Sequence, residues 1–215
     1  MSKTKSFWDN ASKNYDKTEE RFEYIHQKSR ENTKKHIESA NVVLDYGCGT
    51  GTTACEIAND VKEIYAIDIS SKMIEISKGK AAEKNIKNVT FAQGEIFDEN
   101  LRKESFDRIL AFNMLHTIPN PEKVTKRINE LLKPDGLFIS ITPSLGDKMS
   151  FVVGLQIRLV QVLCKIGIIP IPIRILKSAD LDHLMAKGNF QTVDSKKIYK
   201  GASSYFIVAK KKNKM

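Results

Sequence analysis

Residues 42–51, Val42-Val43-Leu44-Asp45-Tyr46-Gly47-Cys48-Gly49-Thr50-Gly51, decide the fold. Three apolar residues, an acid and an aromatic predict a short buried strand. Glycines follow at once, and Thr52 to Ala58 then reads as the first turns of a helix. A strand that runs through glycines into a helix brings backbone N–H groups and bare Cα atoms close to a ligand. Side chains at 47, 49 and 51 would block that approach, so the stretch points to a ligand with a nucleotide-like body. The structural alternative is a glycine-rich turn with no ligand.

Spacing narrows the choice. A dinucleotide fingerprint, G-x-G-x-x-G, needs glycine where this chain has Thr52, and the third glycine arrives one residue early at Gly51. No Gly-Lys-Ser/Thr follows, which excludes a Walker-type phosphate loop. The run Leu44 to Gly51 resembles the first motif of class I S-adenosylmethionine-dependent methyltransferases. The apolar strand, the acid two residues before Gly47 and the closing Thr-Gly make that match specific.

Around this centre the chain alternates strands and helices. Residues 6–38 predict helices, with Phe7 or Trp8, Ala11 and Tyr15 at helical spacing and a second, charged helix over roughly 19–38. One reading is an amphipathic helix packed on the domain. The other is a lid, because Phe-Trp-Asp…Ala…Tyr-Asp resembles the N-terminal segment of small-molecule methyltransferases and a sulfonium cation is attracted to an aromatic face. Ile64 to Asp68 predicts a second strand, and Asp68 falls 21 residues after Gly47, near the offset at which an acid receives ribose hydroxyls. Ser70 or Ser71 can cap the next helix, which leaves Asp68 for a ligand. Asn88 to Gln93 predicts a third strand, followed by Gly94-Glu95-Ile96. Phe106 to Phe112 predicts a fourth, with Asn113-Met114-Leu115-His116 at its carboxyl end, where open α/β sheets bind ligands.

Pro121 opens a helix that Lys133-Pro134-Asp135-Gly136 closes, and Leu137 to Thr142 reads as a fifth strand. The turn is similar to the family's Leu-Lys-Pro-Gly-Gly. After another helix from Ser178, strands over 190–199 and 203–209 predict a closing hairpin around Lys200-Gly201. The expected fold is α/β: a Rossmann-like, mostly parallel seven-stranded sheet, helices on both faces, a C-terminal antiparallel hairpin, and a helical cap inserted between strands 5 and 6. We read residues 1–215 as a single domain, with 6–38 as the lid and 143–177 as the cap.

The cap is the least typical part. From Phe151 to Leu176 the polar residues are Gln156, Arg158, Gln161, Lys165 and Arg174, and its uncharged runs are too short to cross a bilayer. In the resembling family this insertion builds the acceptor pocket, so an apolar, basic cap implies an apolar or lipid-like acceptor, met in the cytosol or at the inner membrane face. Packing on its own domain, or a dimer contact, would use the same composition.

Bulk properties set outer limits. The chain has 215 residues, 41% apolar and 28% charged, as in a globular domain with an adequate core. Cys48, Cys55 and Cys164 form no C-x-x-C pair, which disfavours metal and disulfide readings and suggests a reducing cytosol. The opening residues hold no apolar signal core. A net charge of +9 permits nucleic acid or an anionic membrane, although part of it is the lysine-rich end from Lys210 to Lys214, which reads as solvated.

The resemblance implies S-adenosylmethionine as cofactor, S-adenosylhomocysteine as product and no metal. Gly47, Gly49 and Gly51 would hold the methionine part, with Asp45 supporting the loop and Asn113 near the amino end. Asp68 and Ile69 would take the ribose, Gly94, Glu95 and Ile96 would edge the adenine, and Tyr15 would cover the site. His116 is the candidate base, with a packing or capping histidine as the alternative. The expected reaction is in-line methyl transfer to a small acceptor. Rivals are an RNA methyltransferase acting on sugar or guanine, a nicotinamide oxidoreductase, and a module that binds the cofactor without transfer. Amino methylation of bases is disfavoured, because Asn113-Met114-Leu115-His116 stands where Asn/Asp-Pro-Pro-Tyr would be.

Overall fold

Alternate side chains of the first strand, β1 (Val42–Tyr46), enter two different apolar layers: Val43 packs on one face of the sheet and Leu44 on the other. This two-sided burial makes the strand read as a continuous apolar run. It lies near the middle of a seven-stranded sheet in a computed structural model that describes residues 2–212. Met1 and residues 213–215, including Asn213 and Lys214 of the lysine-rich end, lie outside the described residues.

The other strands are β2 (Glu63–Asp68), β3 (Val89–Gln93), β4 (Phe106–Phe112), β5 (Leu132–Pro143), β6 (Phe190–Lys200) and β7 (Ala202–Lys211). Their order is β3-β2-β1-β4-β5-β7-β6. Strands β1 to β5 are parallel, and β7 runs antiparallel between β5 and β6. The expected sheet and its closing hairpin are therefore both present.

Helices cover the two faces. On one side, α3 (Glu23–Thr33), α4 (Thr52–Ile57) and α5 (Ser71–Glu83) bury Ile25, Ile57 and Ile74 against Val43, Leu110 and Phe206. On the other, α6 (Pro121–Leu131) and α8 (Ser178–Lys187) bury Ile128 and Leu181 against Leu44, Ile109 and Phe138. Burying each such side chain stabilises the fold by about 1.5–3 kcal/mol before conformational entropy is charged. Side chains cap the helix starts. Ser70 Oγ accepts from Met73 N at 3.1 Å, and Asn120 Oδ1 accepts from Lys123 N at 3.0 Å just ahead of Pro121.

Two local differences have physical causes. The charged helix expected over 19–38 is interrupted: α1 (Lys3–Ala11), the short α2 (Tyr15–Glu19) and α3 are separated by tight turns at 12–14 and 20–22. The fifth strand begins at Leu132 rather than Leu137. Phe106 pairs with Leu132 and Arg108 with Leu137, so residues 133–136 bulge out, with Asp135 at a φ of 61°.

Helix α7 (Phe151–Lys165) lies in the chain between β5 and α8. It docks at the β6–β7 turn, where Ser150 N donates to Gly201 O at 2.7 Å and Ser203 N to Lys148 O at 2.8 Å. Because Pro143 pairs with Ser204, this turn lies at the carboxyl end of β5.

Candidate active site

Strand order reverses around β1, which has β2 on one side and β4 on the other, so the carboxyl ends of these strands frame a crevice. A cavity of about 360 Å³ opens there. Tyr46, Gly47 and Gly49 reach it from β1 and its loop, Asp68 and Ile69 from β2, Glu95, Ile96 and Phe97 from the loop after β3, and Phe112, Asn113 and Met114 from β4. Trp8 and Tyr15 enter from the N-terminal segment, and Ile118, Pro119 and Lys123 from the approach to α6. A second cavity, of about 390 Å³, flanks the glycine loop and shares Tyr15, Gly47, Phe112 and Asn113 with the first.

The three glycines do different work. All have positive φ: 75° at Gly47, 54° at Gly49 and 76° at Gly51. A Cβ at Gly47 would fall 2.2 Å from Met114 Sδ, so the missing side chain lets β4's end close over the loop. A Cβ at Gly49 would meet the Tyr15 ring at 3.4 Å, inside the cavity. Gly51 points away: a Cβ there would lie 2.6 Å from Ser77 Cβ and 2.8 Å from Phe91 Cε1. It permits close packing of α5 and β3 beneath the loop and does not line the cavity.

Asp68 ends β2 and ties the loop down. Its Oδ2 accepts from Gly49 N at 3.1 Å and its Oδ1 from Ser70 N at 2.8 Å. Each oxygen keeps a further lone-pair direction for a ligand hydroxyl. Burial pushes the Asp68 carboxyl above its ordinary value, and the two N–H groups act against that rise.

Asp45, on β1, lines the second cavity, and its Oδ2 is buried with no hydrogen-bond partner among the described residues. Burial, and then the nearby Asp68, push its pKa up to about 7. An acceptor so placed fits a ligand that brings a cation.

The N-terminal segment crosses the loop and is pinned on both sides of Tyr15. Asp9 Oδ1 accepts from Ser70 Oγ at 2.6 Å and Lys72 N at 3.2 Å. Asp16 accepts from Thr50 Oγ1 at 2.6 Å and pairs with Lys80 Nζ at 2.8 Å. Tyr15 is edge-on to Trp8 at 6.5 Å, and burial raises its hydroxyl pKa well above the ordinary value.

Of the residues predicted from sequence, Tyr15, Gly47, Gly49, Asp68, Ile69, Glu95, Ile96 and Asn113 come together on the main cavity, and Gly94, Gly51 and His116 do not line it. Gly94 N instead donates to Asp68 O at 3.0 Å, spacing the 94–96 turn from β2. His116 is partly exposed as a residue, but its ring Nδ1 is buried and has no hydrogen-bond partner among the described residues. Burial lowers its pKa to about 4. The imidazole is therefore neutral near pH 7, as a base must be, but its pull on a proton is weak.

Sequence reasoning missed the wall built by Phe97, Ile118, Pro119 and Lys123. The available signal was the capped helix start at Asn120-Pro121, which had to sit at the carboxyl edge of the sheet. No residue of 143–177 lines the cavity, so the apolar cap does not wall the site in this structure. Among the described residues, no cluster of three or more His, Cys, Asp or Glu could hold a metal ion.

The sheet order, glycine loop and strand-end acids together define a Rossmann-like methyltransferase architecture. Residues 37–197 match the model of the methyltransferase domain family, and the chain belongs to that family. The ubiquinone biosynthesis O-methyltransferase of Actinobacillus pleuropneumoniae is 31% identical over 143 residues, covering 63% of this chain and 58% of that protein. The demethylmenaquinone methyltransferase of Lactococcus lactis is 33% identical over 105 residues, 47% of this chain and 42% of that protein. This chain thus spans about half the length of the curated relatives it matches. In fold it is similar to the YcgJ protein of Bacillus subtilis, with a TM-score of 0.72 at 17% identity over 88% of this chain and 100% of that one. The class read from residues 44–51, class I and S-adenosylmethionine-dependent, holds.

The residues present also fit that cofactor chemically. It brings a ribose diol, an adenine edge and an α-ammonium, and the acceptors Asp68, Glu95 and Asp45 lie along the two connected cavities.

Proposed function

We propose that this chain is a methyltransferase domain that moves a methyl group from S-adenosylmethionine to a small apolar acceptor of the quinone or lipid kind. The carrying observation is the composition of the cavity lining: alongside Asp68, Gly47 and Gly49 it includes Phe97, Phe112, Met114, Ile118 and Pro119, with Lys123. An apolar wall with few polar groups selects for shape and hydrophobicity. The quinone-pathway names of two relatives support the same class of acceptor.

In this reading Asp68 and Ile69 hold the ribose, Glu95 and Ile96 border the adenine, and Gly47 and Gly49 admit the methionine part. Asn113 and Asp45 stand toward its amino end, and residues 6–38 close over it. The cofactor supplies an electrophilic methyl on sulfur, whose departure leaves a neutral thioether. The chain's own task is alignment and exclusion of water, effects that account for much of such a rate. His116, off the cavity lining, is the one candidate base of the 113–116 loop.

The test incubates the purified chain with methyl-labelled cofactor and a fractionated bacterial extract, with Asp68→Ala as control. Label in the organic phase, absent with Asp68→Ala, is the expected result. Label confined to water-soluble compounds would overturn the apolar acceptor, and no label above control would overturn transfer.

A further inference from the structure

Helix α7 shows solvent a stripe that a soluble helix would normally bury. Phe151 is 86% exposed, and Val152, Leu155, Leu159, Val162 and Ile166 are each more than half exposed. At 100° per residue these six positions fall within an arc of about 100°, a contiguous apolar stripe. The opposite face, with Val153 and Ile157, is also apolar but half-buried, Val153 beside Gly201 of the β6–β7 turn, so the exposed stripe is additional to what the fold needs.

Charge along this segment has one sign. From Lys148 to Ala179 the chain contains Lys148, Arg158, Lys165, Arg174 and Lys177 and no acid. Arg158 and Lys165 flank the stripe on one side, both exposed, and among the described residues neither has an acidic partner. Basic side chains at the border of an apolar helical face can extend into a headgroup layer while the apolar residues enter the acyl boundary.

The segment is also fastened to the cavity rim. Thr4 Oγ1 donates to Pro170 O at 3.2 Å, and Arg174 donates to the carbonyls of Ile118 and Pro119. Thr4, Ile118 and Pro119 all line the main cavity.

We propose that the exposed face of α7 docks on an anionic lipid bilayer and brings the cavity rim to the membrane surface. Charge favours lipid over a second copy of the chain: an isologous pair would set Arg158 and Lys165 among their own copies with no acid on either helix. The inference deepens the reading of an apolar acceptor, which would partition into the same bilayer.

The test is vesicle flotation of the full chain, with no turnover required. Phosphatidylglycerol-containing vesicles should carry the protein, phosphatidylcholine alone should carry at least tenfold less, and high salt should release it. Leu155→Gln with Leu159→Gln should lose at least tenfold in bound fraction, and Arg158→Gln with Lys165→Gln should lose the preference for the anionic lipid. Unchanged binding of S-adenosylhomocysteine shows that these variants fold. Absence of flotation with any lipid would overturn the proposal, as would equal binding to both lipids. A concentration-dependent dimer in sedimentation, abolished by the leucine changes, would assign the face to a second copy. Vesicle binding without methyl transfer would leave the docking standing and remove only the acceptor reading.

Discussion

Asp68 Oδ2 accepts a hydrogen bond from the Gly49 N–H at 3.1 Å, so the carboxylate at the end of β2 holds the glycine loop as well as facing the cavity. The two roles separate by substitution. Asp68→Ala loses both and should weaken S-adenosylhomocysteine binding by roughly 100-fold while lowering the melting temperature, since a charged acceptor bonded to N–H groups is worth about 1.5–3 kcal/mol. Asp68→Asn keeps one acceptor oxygen but sets its amide NH2 against the other backbone N–H, so it should recover only part of the stability and little of the binding. Equal loss of stability in both variants, measured by calorimetry, would contradict the dual role.

Gly49 and Gly51 should respond differently to the same methyl group. At Gly51 alanine is strained by a φ of 76° and collides with Ser77 and Phe91 beneath the loop. Gly51→Ala should therefore cost about 2–4 kcal/mol of folding stability. At Gly49 a φ of 54° strains alanine as well, but the new methyl meets only the Tyr15 ring, at 3.4 Å, in the ligand space. Gly49→Ala should weaken cofactor binding more than it lowers stability. Parallel denaturation and titration of the two variants checks this, and a reversed ranking would refute it.

That contrast also marks what the sequence could and could not convey. Glycine spacing identified a ligand loop because a strand, three glycines and a helix start constrain the backbone locally. It could not reveal that Gly51 faces α5, since that contact depends on how the helix returns to the sheet. Asp68 and the Ser70 cap were legible from strand-end position and cap chemistry. The Ile118–Pro119 part of the wall was not, because it comes from a loop with no period of its own. The break at 20–22 carries no proline or glycine to announce it and lies where the pinned lid gives way to α3. The apolar content of α7 was plain in composition. Which of its two apolar faces meets solvent was not, because both satisfy a helical period.

The lid should loosen when its two pins are removed. Asp9→Ala removes the acceptor of Ser70 Oγ and Lys72 N, and Asp16→Ala that of Thr50 Oγ1 and Lys80 Nζ. Asp16 is half-exposed, so its ion pair alone contributes little and is screened by salt. Each single change should weaken product binding about 3- to 10-fold, as expected for a net hydrogen bond of about 1 kcal/mol. The double variant should lose more. Trp8, the one tryptophan, lines the cavity beside Tyr15 and reports the change by fluorescence. A double variant whose emission and binding match the unmodified chain would show that the segment merely packs on the domain.

Two buried groups should give the stability opposite pH slopes. Asp45 titrates near pH 7 in the folded chain, raised by burial and by Asp68, and near 3.9 when unfolded. A raised folded pKa means a contribution fully present below about pH 4 and lost as pH rises through about 7. His116 has its folded pKa lowered to about 4 by burial, so its contribution is present above about pH 6.5 and lost as pH falls through about 4. Between these limits the two offset each other in the unmodified chain. Asp45→Asn mimics the protonated acid and should match the unmodified chain only below about pH 4, then exceed its stability by a margin that grows up to about pH 7. His116→Phe should show the larger gain over the unmodified chain at the acid end. Denaturant unfolding at several pH values, taken as differences between variant and unmodified chain, cancels every other titrating group. Differences that slope with pH in the same direction for both variants would show that Asp45 and His116 do not hold the buried protonation states assigned to them.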